Sequence, residues 1–354
     1  MKGSTVIVVG AGIVGASIAY HLARQGAQVT LLEQGTAACG VTGHSFAWIN
    51  LADELPAAMQ PLRRQALVDY WRLQEELPAL SINWSGALSY TEATLEGANA
   101  QGAQDSPSVR WLERAQVAQL EPNLNPVPER ARYAHAEGCL DPVAATRVLL
   151  DGARAHGAQV REGTPVLSLR HDGQRLLGVN TPAGPCHADW VVLAAGCATP
   201  ALLAPLGLVL PVQASPSILI RIDAPPGLVK TLISSNQMEI REAADGSLLM
   251  AEDFIAEAGP QGPHALAQQA LATVQQSLRG AAGATLRSVE VGQRPMPQDQ
   301  LPIIGPSATC PGLYLAVMHS GVTLAASVGR LVSQELLHGQ SRSELAPCRP
   351  ARFD

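Results

Sequence analysis

The sequence predicts an α/β fold: a parallel sheet flanked by helices, interleaved along the chain with a smaller α+β domain built on an antiparallel sheet. Three observations carry this expectation. Residues 6–9 are a short run of β-branched apolar side chains, suited to a strand buried on both faces of a parallel sheet. That run passes at once into Gly10-Ala11-Gly12-Ile13-Val14-Gly15, a glycine pattern ahead of a helical stretch. Residues 209–255 alternate short strand-like runs with turns, and Asp245-Gly246 between two such runs signals an antiparallel hairpin.

The elements follow in order. Residues 16–24 read as a helix with Ile18, Ala19 and Leu22 on one face and Gly26 as its stop, and Gln28–Leu32 as a second strand ending at Glu33. Residues 39–50 are a glycine-rich, aromatic loop. Met59, Leu62, Ala66, Tyr70 and Leu73 recur at helical spacing, which predicts a helix over 57–78 with a solvated charged face. Beyond it the pattern turns irregular, with a strand over 86–90 and a helix over 109–119. Asp141-Pro142 supplies an N-cap and a first-turn proline for a helix to about residue 155. Strands are expected over 159–162, 166–170, 176–180 and 191–195, then over 217–222, 237–241 and 247–251. A helix over 264–280, strands over 287–292, on to Gly305, and over 313–316, and a final helix over 322–337 complete the chain. No tandem repeat or low-complexity linker appears, so the two domains interleave.

Composition narrows the function classes. The chain has 354 residues, 47% of them hydrophobic, enough for a large core and too long for one small one. With 24 Lys+Arg against 30 Asp+Glu the net charge is -6, which removes the electrostatic case for nucleic-acid binding. The lysines are Lys2 and Lys230, so no lysine-rich patch exists for anionic lipid. Cysteines at 39, 139, 186, 197, 310 and 348 show no metal-ligand spacing, and no metal is expected. Scattered thiols, no signal-peptide pattern and no apolar span lead to the expectation of a cytoplasmic chain without a membrane segment.

The glycine pattern has a mechanical reading. Gly10 permits the tight turn out of the strand, Gly12 lets a diphosphate approach the backbone, and Gly15 lets the helix pack on the strand. The helix start offers free N–H groups and a positive dipole end to the phosphates. Glu33, 18 residues after Gly15, is placed to accept hydrogen bonds from ribose hydroxyls, which disfavours a 2′-phosphorylated ribose. A dinucleotide site follows, but this fingerprint does not separate NAD from FAD.

The stretch from Val6 to Glu33 resembles the N-terminus of the D-amino-acid oxidase superfamily of FAD-dependent oxidoreductases, which includes glycine oxidases, sarcosine oxidases and D-amino-acid dehydrogenases. Residues 188–196 (ADWVVLAAG) are similar to that family's second flavin-contacting strand and turn. Gly292-Gln293-Arg294-Pro295 with Asp299 and residues 302–305 (PIIG), and residues 311–316 with 319–324 (HSGVTL), extend the likeness over 5–337. The resemblance implies a Rossmann-like FAD-binding domain over 1–80, 138–205 and 292–345, and a substrate-binding domain over 81–137 and 206–291.

It also implies roles. Gly10, Gly12, Ile13, Val14, Gly15, Glu33 and Gln34 would hold the ADP half of FAD, with Val166 on the adenine side and Ala195 and Gly196 along the cofactor. Gly43, His44 and Ser45 would sit near the diphosphate or the flavin ring. Gly321, Val322 and Thr323 would aim backbone N–H groups at the pyrimidine carbonyls, where reduced flavin gains electron density. Arg294 is the first candidate for a substrate carboxylate, which a guanidinium grips with two parallel hydrogen bonds; the competing reading is an arginine paired with Asp299 or another acid. Arg241 is the second candidate. His319 is a candidate contact to flavin or substrate. His44 is expected to hydrogen-bond rather than carry the flavin covalently, and no cysteine lies between Gly292 and Asp299 to offer the other linkage. Phe46 and Trp48 are placed to line the ring.

The expected activity is oxidation of the C–N bond of a small amino acid or N-alkyl amino acid by hydride transfer to flavin N5, followed by imine hydrolysis. The acceptor is oxygen or another electron acceptor, and an oligomer or partner subunit is left open. The alternatives are an NAD-dependent dehydrogenase on the same βαβ unit, and a non-catalytic FAD-binding subunit of a larger complex.

Overall fold

A computed structural model describes residues 3–51, 56–101, 108–253 and 262–353. The β-branched run becomes the strand Thr5–Val9 at the centre of a six-stranded sheet. Its neighbours are Gln28–Leu32 on one side and Trp190–Leu193 on the other, both parallel to it. Gln159–Arg161 and Leu313–Val317 extend the sheet in parallel on either flank, and Ile303–Pro306 closes one edge antiparallel. The helices Ile13–Arg24, Pro142–Ala155 and Gly321–His338 pack on this sheet and on one another. Their buried side chains, among them Ile18, Leu22, Leu149, Leu331 and Val332, form the largest apolar core. Each such side chain contributes roughly 1.5–3 kcal/mol by leaving water.

The second sheet has eight strands, in the order Thr285–Pro297, Val212–Asp223, Leu248–Asp253, Glu239–Glu242, Leu232–Ser234, Ala87–Ser89, Arg130–Ala134 and Val109–Glu113. Its alternation sorts the two faces. Ile218, Ile220, Ile240 and Met250 point to one side, where the helix Pro263–Ser277 covers them. Leu219 and Leu249 point to the other side, against Phe46 and Cys139, and this face turns towards the candidate site. The Asp245-Gly246 hairpin forms as expected between Glu239–Glu242 and Leu248–Asp253. The strands of the two sheets alternate along the chain. Thr285–Pro297 runs unbroken across residue 292, where the sequence places a domain boundary.

Two expectations are corrected. Residues 109–119 are not one helix. Val109–Glu113 is an edge strand paired with Arg130–Ala134, and the helix Arg114–Leu120 starts only after a capping box between Glu113 and Gln116. The helix Gln60–Glu76 is not charged only on a solvated face, because Arg63 and Asp69 are 3% exposed each. Asp69 accepts hydrogen bonds from Arg330 and Ser327 of the final helix, which that charged stripe faces.

Candidate functional site

The site begins where the first strand ends. Gly10 turns with φ +103°, and a side chain there would meet the Ala194 carbonyl oxygen at 2.6 Å. A β-carbon on Gly15 would lie 2.1 Å from the Gly10 carbonyl oxygen, so only glycine lets this helix seat against its strand. The helix Ile13–Arg24 starts at Gly12 with no side-chain cap and no acid in its first turn. Ile13 N donates to Thr42 Oγ1 at 3.2 Å, and the helix end otherwise presents first-turn N–H groups without a side-chain cap. Glu33, 9% exposed, is pinned beside it: one carboxylate oxygen accepts from Ala11 N and the other from Gly35 N, both at 2.8 Å.

A second helix starts at the same place. Gly321–His338 opens after Ser320, again with no side-chain cap. Tyr70 Oη donates to the Val322 carbonyl. Thr323 Oγ1 donates to the Trp48 carbonyl at 2.9 Å, which ties this helix to the wall strand Trp48–Ile49.

Both helix starts open into one cavity of about 780 Å³. That lies in the upper part of the ~300–1,000 Å³ range of small-molecule and cofactor sites. The cavity brings together most of the expected residues: Gly10, Gly12, Ile13, Val14, Glu33, Gln34, His44, Ser45, Ala195, Gly196, Arg294, His319, Gly321, Val322 and Thr323, with Phe46 and Trp48. Gly15 and Gly43 lie behind its wall, each with a close backbone contact that a side chain would break. Val166 is not on the wall; it packs against the apolar cluster of Ile7, Val9 and Leu193. Two uncapped helix starts, a glycine turn and a pinned carboxylate around one space of this volume fit a dinucleotide with a second polar ring system.

Arg294 stands on the cavity wall from the eight-stranded sheet. Its Nη2 forms an ion pair with Asp253 Oδ1 at 2.7 Å and donates to Ser215 Oγ at 3.0 Å, while its buried Nε has no partner among the described residues. Asp299 is not its partner, because it is held by Arg352. Arg241 is placed differently from expectation. It is 4% exposed and off the cavity, with Nε on the Phe46 carbonyl at 2.7 Å and Nη2 on the Leu140 carbonyl at 3.2 Å. Those carbonyls take the donors that a substrate would need, so Arg241 braces the wall beneath Phe46.

His319 lies half-buried in the cavity. Burial, then the Arg294 and Arg63 guanidinium groups, lower its pKa to about 4, so it is neutral at physiological pH. His44 Nδ1 donates to the Gly40 carbonyl at 3.0 Å, and its Nε2 lies 3.5 Å from Glu290.

Four residues of the site escape the sequence reading. Arg63 donates to Asn50 and to Ser320 Oγ, beside His319, and its spacing to Leu67 and Tyr70 on the buried stripe is the signal that was there to use. Glu137, 1% exposed, accepts from Trp48 Nε1 at 2.8 Å and from Leu51 N at 3.1 Å. Asp253 and Glu239 reach the cavity from the eight-stranded sheet, which departs from the expected antiparallel arrangement at the parallel pair Leu232–Ser234 and Ala87–Ser89, and only strand pairing brings them there.

The family described as FAD dependent oxidoreductase matches residues 5–335. The chain is similar to the glycine oxidase of Bacillus licheniformis, 33% identical over 211 residues, which are 57% of this chain and 56% of that protein. It is 27% identical to the glycine oxidase of Pseudomonas aeruginosa over 98% of both chains. Among solved structures, its fold is similar to glycine oxidase from Geobacillus kaustophilus (TM-score 0.86, 24% identity, 99% of this chain and 98% of that one). It is likewise similar to iminodiacetate oxidase from Chelativorans sp. BNC1 (TM-score 0.84, 24% identity, 98% of each chain).

Proposed function

The chain belongs to the family of FAD-dependent oxidoreductases, and from that premise we propose that it oxidises the C–N bond of a small amino acid or N-alkyl amino acid. The observation that carries this is the position of Arg294, on the wall of the same cavity into which both uncapped helix starts open. The glycine oxidases and the iminodiacetate oxidase among its relatives support the substrate class.

Bound FAD supplies an acceptor for the hydride leaving the substrate α-carbon, at flavin N5. The chain does the rest. Gly12 and Ile13 hold the diphosphate at a positive helix end, and Glu33 meets the ribose. The start of the helix Gly321–His338 would offer its uncapped N–H groups to the pyrimidine carbonyls of the flavin. Arg294 exchanges part of its Asp253 contact for the substrate carboxylate and so aims the α-hydrogen. The amine binds neutral, which the apolar wall of Phe46 and Trp48 favours by desolvation. His319, neutral as well, adds no charge beside it. The imine product takes up water to give an oxo acid and ammonia or an amine. In this reading the 1–80, 138–205 and 292–345 segments serve FAD and 81–137 and 206–291 serve the substrate, with Arg294 the exception, since the strand Thr285–Pro297 carries it into the substrate-facing sheet from within 292–345.

The purified protein is expected to be yellow and to bleach anaerobically with a member of a panel of amino acids, N-methyl amino acids and imino acids. Bound flavin that none of them reduces would refute the reading and point to a non-catalytic subunit. Mixing reduced enzyme with air-saturated buffer separates an oxidase, reoxidised in seconds, from a dehydrogenase.

A further inference from the structure

The face of the eight-stranded sheet that carries Arg294 also carries an acid with no counterpart in the proposed chemistry. Glu239 lies opposite Ala251 on the neighbouring strand, and Asp253 is two residues beyond Ala251 on that same strand. Alternation therefore puts Glu239, Ala251 and Asp253 on one face, with Ser217 and Leu219 on the strand beyond. The side chains between the charges, Ala251 and Ser217, are small. Glu239 lines the cavity, and no described residue hydrogen-bonds its carboxylate.

Arg294, the cation facing this acid among the described residues, is already paired with Asp253 at 2.7 Å. Glu239 is thus left on the wall without a cation of its own. Burial, then Asp253 and Glu252, push its pKa up to about 7, the state of a carboxylate short of a cation.

We infer that Glu239 selects the far end of the substrate: the cavity takes an α-amino acid, or its N-alkyl derivative, whose side chain ends in a cationic nitrogen. The inference rests on the proposal that Arg294 holds the α-carboxylate. Its length fits. One inter-strand step of ~4.8 Å and two residues of ~3.4 Å each separate Glu239 from Asp253, where the Arg294 head lies, by about 8 Å. A chain of about six single bonds of ~1.5 Å, zigzagged, spans nearly that distance. A neutral side chain of the same length would leave Glu239 buried against methylene groups, at the cost of a desolvated charge.

The test uses the FAD-loaded protein at about pH 8, where Glu239 is ionised. Calorimetry compares hexanoate with 6-aminohexanoate, two carboxylates that differ only in a terminal ammonium. In the wild type the amino compound is expected to bind at least about tenfold tighter, the worth of one charge-assisted hydrogen bond. In Glu239→Gln the two should fall within about twofold of each other, hexanoate binding somewhat tighter than to the wild type because it no longer desolvates a carboxylate, and 6-aminohexanoate binding more weakly. Equal binding in the wild type, or a preference that survives Glu239→Gln, overturns the inference. The carboxylate reading is tested separately, because Arg294→Ala should weaken both ligands alike. If hexanoate ignores that change, the reading of Arg294 fails, while the ratio between the two ligands still decides the role of Glu239.

Discussion

Truncating Arg294 separates an arginine that holds substrate from one that holds the sheet together. In the structure its Nη2 bridges Asp253 and Ser215, but Asp253 is 73% exposed and Arg294 24%. A pair so open to solvent contributes under ~1 kcal/mol to stability. The buried Nε has no partner among the described residues, so Arg294→Ala also removes an unsatisfied donor, which offsets part of that loss. The melting temperature should therefore move by no more than about 2–4 °C. Binding is expected to respond differently. Charge-assisted hydrogen bonds to a carboxylate are worth ~1.5–3 kcal/mol, or roughly 10- to 150-fold in dissociation constant. The assay is anaerobic titration of the flavin spectrum with a carboxylate ligand and, as control, the matching amine without its carboxylate. Arg294→Ala should weaken the first and spare the second, and Arg294→Lys should recover only part, since an ammonium lacks the fork. A change below about threefold for the carboxylate, or equal losses for both ligands, would refute the assignment.

Three further outcomes follow from the same geometry. Gly15→Ala sets a β-carbon 2.1 Å from the Gly10 carbonyl oxygen, so it should cost ~1–3 kcal/mol and lower the flavin-to-protein ratio after gel filtration; full retention of flavin would contradict the cradle. Glu137→Ala strands the buried Leu51 amide, at ~1–3 kcal/mol, and the half-buried Trp48 indole N–H, at less, while Glu137→Gln keeps one acceptor and should lose less in chemical unfolding; equal losses would show that the charge alone matters. His21 and His319 have folded pKa values lowered by burial from 6.5 to about 3 and about 4. Between those values and 6.5 the unfolded chain binds more protons, so their contribution is intact above pH 6.5 and lost as the pH falls towards 4 and then 3. Unfolding midpoints between about pH 8 and 5 should decline with acidity, less steeply in His21→Gln and His319→Gln, and an unaltered slope in both variants would count against this origin.

What the sequence discloses here is set by the separation of the partners. The turn from Gly10 to Gly15 and the acid at Glu33 lie within one βαβ unit, so spacing alone carries their geometry. Residues 109–113 (VRWLE) were hidden by the helix that follows them, although their alternation is that of an edge strand and Arg130–Ala134 supplies the partner. Asp253 meets Arg294 only because Val212–Asp223 lies between the two strands that carry them. Arg241 shows the limit most clearly. It stands two residues from Glu239 on the same strand, so alternation assigns both to the face that turns towards the cavity. Choosing between them needs depth. Arg241 is at the end where Phe46 and Leu140 cover the sheet and their carbonyls occupy its donors, whereas Glu239 is at the open end with its carboxylate towards the ligand space. Periodicity identifies which face a charge is on; the long-range packing above that face decides whether the charge meets backbone or substrate.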